Sequence, residues 1–169
     1  KAKPLFKGHY QPQLPADIGF YDLRLSEIRE QQAQLAKAYG IEGFCYYHYW
    51  FNGRRILDRP FTEVFESGKP DFPFMLCWAN ENWSRNWDGG NKEILIEQKY
   101  SEADDCLHIQ SLIPYFNDHR YLKVNGNPVF AVYRSSAIPN MAAKINTWPT
   151  QSPNQLMQLY ICRFESFLE

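Results

Sequence analysis

One short stretch gathers the side chains that carbohydrate chemistry uses: Asn80-Glu81-Asn82-Trp83, followed by Arg85, Trp87 and Asp88. Glu81 is the candidate acid or base. The flanking amides of Asn80 and Asn82 offer donors and acceptors to sugar hydroxyls or to the carboxylate. Trp78, Trp83 and Trp87 offer apolar walls, and burial against an indole raises a carboxyl pKa toward what a general acid needs. The alternative for Glu81 is a plain ion pair with Arg85 across a turn. So many tryptophans around one polar loop are hard to account for as core. Glycosidic chemistry also needs a second carboxylate, about 5–5.5 Å away for retention or about 6.5–9.5 Å away for inversion. Asp88 and Glu165 are both candidates, a partner beyond Glu169 is another, and spacing does not choose among them.

A second constellation is Tyr46-Tyr47-His48-Tyr49-Trp50-Phe51-Asn52. On a strand, Tyr46, His48 and Trp50 share one face, and Tyr47 and Tyr49 share the other. Sequence does not say which face a ligand meets, so His48, Tyr49, Trp50 and Asn52 are all candidate sugar contacts. A core histidine held by a neighbouring hydroxyl is an equal reading of His48. Arg54 and Arg55 suit a phosphate but read better as solvated. His9, His108 and His119 show no metal-ligand spacing. Asp104-Asp105 reads as dipole pairing at a helix start. No metal and no cofactor is called for.

The elements that must hold these groups alternate. Apolar residues recur at helical spacing over 22–39, with Gly40 as the stop. Residues 43–50 then read as a buried strand, and Pro60 opens a short helix to Glu66. A second buried strand spans 72–79, with a polar loop at 80–92. Ser101 caps a helix to about Phe116. Asn125-Gly126 signals a hairpin running into a third strand that ends at Tyr133. A weaker helix covers about 140–148, and 159–164 read as a fourth strand.

Buried strands alternating with helices predict parallel βα units. Neither G-x-G-x-x-G nor G-x-x-x-x-G-K-[ST] occurs, which argues against a nucleotide-binding sheet. A (β/α)8 barrel carries its chemistry on loops after the strands, which is where the aromatic loops fall. Such barrels take about 250 residues. The expectation is therefore one partial TIM-like barrel domain over 1–169, lacking its first strand and its C-terminal strands.

The chain has 169 residues, net charge -1 and a pI near 6.5, so no strong field draws it to nucleic acid or an anionic membrane. No run approaches the roughly 20 apolar residues of a membrane helix. The four cysteines lack C-x-x-C spacing, and three lie in apolar runs that suit small buried hydrophobes. They predict a reducing, cytoplasmic setting. Aromatic residues make up 17% of the chain, more than a core of this size explains at strand ends and in loops.

Three stretches carry a family resemblance: Lys1-Ala-Lys-Pro-Leu-Phe-Lys-Gly-His-Tyr-Gln-Pro12, Tyr39-Gly-Ile-Glu-Gly-Phe-Cys-Tyr-Tyr-His-Tyr-Trp-Phe-Asn-Gly-Arg54, and Cys77-Trp-Ala-Asn-Glu-Asn-Trp-Ser-Arg-Asn-Trp-Asp-Gly89. They resemble the WbsX family, closely over about residues 1–139. The resemblance implies a glycosyltransferase of lipopolysaccharide O-antigen or capsule synthesis. It also implies a barrel like that of the family 99 glycoside hydrolases, which act on mannosides. The implied partners are a glycan or glycosyl donor and other polysaccharide-assembly enzymes. The chain lacks D-x-D and a Gly-rich phosphate loop, and a tryptophan-lined Asn-Glu looks more like a glycosidase. Transfer, hydrolysis or transglycosylation, and glycan binding without turnover are thus the three expectations.

Overall fold

The computed structural model describes residues 4–10, 15–85, 90–148 and 158–164. The side chains of 90–92, 143, 146 and 147 are not included. The chain opens with helix α1 (Ser26–Ala38), shorter than its apolar periodicity, because Leu25 takes an extended conformation at the N-cap. Strand β1 (Phe44–Phe51) follows and turns at once into β2 (Arg54–Ile56). Asn52 and Gly53 have φ of 44° and 85°, the two positive values that a two-residue type I′ hairpin turn requires. Helix α2 (Arg59–Ser67) has Pro60 in its first turn and ends on left-handed Gly68.

Strand β3 (Phe74–Trp78) leads into a small antiparallel ribbon, β4 (Trp83–Arg85) with β5 (Gly90–Ile96). This ribbon replaces the expected loop. Its irregular register and its Gly and Asn residues hide it from any period-two reading. Helix α3 (Glu102–Phe116) starts at Ser101, whose side chain accepts from the Asp104 backbone N–H. Strands β6 (Lys123–Val124) and β7 (Asn127–Val132) form the Asn125-Gly126 hairpin. Helix α4 (Met141–Thr147) and strand β8 (Tyr160–Arg163) complete the chain.

The protein is a mixed α/β structure on a mainly parallel sheet. Strands β1, β3, β7 and β8 lie side by side in chain order and run parallel, with β2 and β6 antiparallel beside them. Among the described residues the sheet is open and does not close into a barrel. One face carries the core: Trp50, Phe74, Leu76, Trp78, Phe130 and Val132 pack against Phe61 of α2 and Ile109, Leu112, Tyr115 and Phe116 of α3. Ala33 and Ala36 of α1 cover Phe44 on that same face. The helices therefore lie on one side, and Cys45, Tyr47 and Tyr49 look out from the other.

Arg120 fastens the end of α2 from beneath. Its guanidinium donates to the carbonyls of Val64, Phe65 and Pro70, pairs with Asp118, and covers the Phe74 ring at 5.3 Å. It is only 4% exposed, so these acceptors replace the water it has lost. The four cysteines are unpaired thiols. Cys77 is buried as its apolar run predicts, but Cys45 is exposed because it points to the open face.

Candidate functional site

The order of strands places one groove at the C-terminal ends of β1, β3 and β7. It encloses about 390 Å³ and is lined by Tyr47, Tyr49, Ala79, Glu81, Asn82, Trp83, Ser84, Leu95 and Tyr133. The strand ladder continues to its floor: Ala79 N–H donates to the His48 carbonyl at 3.0 Å, and Tyr133 N–H to the Trp78 carbonyl at 3.0 Å. A larger groove, about 650 Å³, lies between α1 and the first half of β1. Its walls are mainly apolar, with Asp17, Arg29 and Gln32 among them, and it lies away from the C-terminal strand ends.

The aromatic lining has defined geometry. Tyr47 meets Tyr133 edge-on at 6.1 Å, and Tyr49 meets Trp83 edge-on at 5.4 Å. Trp83 also abuts Phe51 at 5.8 Å, which holds the ribbon against the end of β1. Burial is the main cause that raises the phenols of Tyr47 and Tyr49 above their ordinary range. Both stay protonated at neutral pH and can donate as well as accept.

Glu81 stands at this groove with its side chain 46% exposed, and its Oε1 lies 2.8 Å from Arg134 Nε. Its ionic partner is thus Arg134, which follows β7, and not Arg85. Arg85 pairs across the ribbon with Glu93 at 3.0 Å. Trp78 gives Glu81 no apolar wall, because its indole points into the core on the opposite face. Asn82 lines the groove and accepts the Gln98 N–H at 2.6 Å, which ties the base of the ribbon.

The other candidates lie elsewhere. Asn80 is 1% exposed, and its amide is spent on Tyr100 and on both backbone groups of Arg134. His48 and Trp50, each 5% exposed, face the helices and not the groove. His48 Nε2 lies 3.0 Å from His108 Nε2 on α3, with the rings stacked at 5.1 Å. Trp50 Nε1 donates to both carboxylate oxygens of Asp104 at 3.0–3.1 Å. Burial lowers the pKa of both histidines, His48 to about 3, so the pair is neutral. Asn52 is the left-handed turn residue of the β1–β2 hairpin. Trp87, Asp88 and Glu165 lie outside the described residues, so neither of the two named candidates for the second carboxylate is described. Asp104 and Asp105 do more than face a helix dipole: both are buried, and Asp105 pairs with Lys144 of α4.

The sequence reading missed Tyr133, which lines the groove, and the adjacent Arg134, which pairs with Glu81. They follow a strand end as Glu81 does, and the same rule applied to β7 would have found them. Among the described residues no group of three His, Cys, Asp or Glu side chains could hold a metal. No helix among them is long and apolar enough to cross a membrane.

The described residues thus form a mainly parallel α/β sheet with an aromatic, carboxylate-bearing groove at its strand ends. The chain belongs to the glycosyltransferase WbsX family, which it matches over residues 1–169. It is also similar to the protein WxcX from two strains of Xanthomonas campestris pv. campestris, B100 and ATCC 33913. Each is 43% identical over 145 residues, which cover 86% of this chain and 21% of the relative. The chain thus spans about a fifth of the length of these curated relatives. No solved structure matches it.

Proposed function

We propose that this chain carries part of the active site of a glycosyl-transferring enzyme of bacterial surface-polysaccharide assembly, with Glu81 acting on the substrate. The observation that carries this reading is the groove itself: one carboxylate among the rings of Tyr47, Tyr49, Trp83 and Tyr133. Aromatic faces suit the C–H-rich faces of sugars, while phenols and Asn82 suit hydroxyls. In this reading the Glu81 carboxylate, ion-paired with Arg134, takes a proton from an attacking hydroxyl. Family membership supports glycosyl transfer, and lipopolysaccharide O-antigen or capsule is the product class we propose for it.

The parallel strands read as an arc of a (β/α)8 barrel. Their sequential order and the placement of the helices on one face support this, since a doubly wound sheet reverses strand order and puts helices on both. A carboxylate at the strand-end mouth favours a second reading, hydrolysis or transglycosylation of a bacterial glycan. The unpaired thiols support a reducing compartment. Calorimetry on the full-length protein separates the readings. Saturable binding of sugar nucleotides supports transfer. Release of reducing ends from surface polysaccharide, without nucleotide binding, supports hydrolysis. Glycan binding with neither activity would overturn both in favour of a binding module.

A further inference from the structure

Asn80 precedes the groove carboxylate, yet it is sealed from solvent. Its Oδ1 accepts the Arg134 backbone N–H at 2.8 Å, and its Nδ2 donates to the Arg134 carbonyl at 2.8 Å. One amide thus reads both backbone groups of a single residue on the neighbouring strand's exit. Tyr100 locks the arrangement from behind: its hydroxyl donates to the Asn80 carbonyl at 3.0 Å and accepts from Nδ2 at 3.2 Å. The side chain of the clamped Arg134 then returns to Glu81 at 2.8 Å. The circuit closes on itself, from Asn80 through Arg134 to the residue after Asn80.

We propose that Asn80 and Arg134 are positioning residues that fix the orientation of the Glu81 carboxylate in the groove. This rests on the catalytic reading of Glu81 given above. An ion pair as exposed as Arg134–Glu81 contributes at most about 1 kcal/mol to stability. A buried amide spent on one backbone position is a costly way to support so weak a pair if orientation is not the gain. The clamp also fixes the peptide that follows Tyr133, so the tyrosine wall and the carboxylate share one support. Without the clamp, Arg134 would swing with its loop and Glu81 would sample rotamers away from the reacting centre. Losing placement of a reacting group by about 1 Å can cost about 100-fold in rate.

Two readouts on the full chain test this. The first is the Arg134 Nε–H resonance in protein labelled with ¹⁵N-arginine. A resonance protected from exchange is expected in the parent, lost in Glu81→Ala, and lost in Asn80→Ala with the circular dichroism spectrum retained. A protected resonance unchanged in Asn80→Ala overturns the role of Asn80. The second covers the case in which Asn80→Ala fails to fold. Genes carrying Arg134→Gln, Arg134→Lys or Glu81→Gln are returned to a strain lacking the gene, and polysaccharide output is measured at matched protein level. Arg134→Gln is expected to lower output about 10- to 100-fold, with partial recovery in Arg134→Lys. Parental output from Arg134→Gln beside a null Glu81→Gln overturns this inference and leaves the role of Glu81 standing. Parental output from both overturns the role of Glu81 as well.

Discussion

The buried His48–His108 pair makes folding stability fall with acid. In the native state burial, and then the charge of Arg55, depress His48 to about 3 from an ordinary 6.5. His108, fully enclosed, is lowered by burial first and then by His48 and Lys144. The unfolded chain therefore binds protons below pH 6.5 that the native chain refuses, and stability must rise with pH across that window. It is complete well above pH 6.5 and declines as pH falls below it, the His48 contribution levelling off near pH 3. Well below pH 6.5 each pH unit costs on the order of 1 kcal/mol per such histidine, so His48 alone removes about 2 kcal/mol between pH 6.5 and 4.5. Asp104 opposes this, since burial raises its carboxyl and favours the folded state as it protonates. A comparison isolates the histidine term: His48→Gln keeps an amide facing His108 and removes one titrating group. Urea unfolding at pH 6.5, 5.5 and 4.5 reads it. At an m-value of about 2 kcal/mol/M, the parent's midpoint should drop by about 1 M more than the variant's. Equal slopes for the two proteins would refute the reasoning.

Three other substitutions test the framework that carries the groove. A methyl group on Gly43 would sit 2.9 Å from the Pro73 carbonyl oxygen, where β1 enters the sheet; Gly43→Ala should destabilise by about 1–3 kcal/mol in urea titrations. Arg120→Ala strips donors from the carbonyls of Val64, Phe65 and Pro70 and removes the guanidinium from Asp118, which should cost about 3–5 kcal/mol by the same measurement. Trp83→Ala removes the ring that closes the groove against Tyr49. It should weaken oligosaccharide binding by calorimetry about tenfold, or about 1.4 kcal/mol, with the fold intact.

Much of this architecture is legible in the residue order. The alternation of Tyr46, His48 and Trp50 with Tyr47 and Tyr49 separates two faces, and Ser101, Gly68 and Asn125-Gly126 mark ends and turns by side-chain and backbone chemistry alone. Which face meets the ligand is not legible, because both are aromatic. It is decided by His108 and Asp104, about 60 and 54 residues away along the chain, which draw His48 and Trp50 into the core. The same distance effect separates the amides. Asn80 and Asn82 look equivalent beside Glu81, yet only Asn80 lies where the exit of β7 can be clamped. The alternative of a Glu81–Arg85 ion pair fails for a related reason: Arg85 is near in sequence, but β4 carries it to Glu93, and Arg134 arrives through the sheet.

The central claim is that Glu81 is the working carboxylate of a glycan groove, and Glu81→Gln in the full-length protein tests it most directly. The neutral isostere preserves shape and an acceptor for Arg134 while removing the base. Turnover on surface-polysaccharide substrate should fall by at least about 100-fold, the contribution of a positioned acid or base, while calorimetry shows glycan binding retained. Unchanged turnover in that variant would contradict the account.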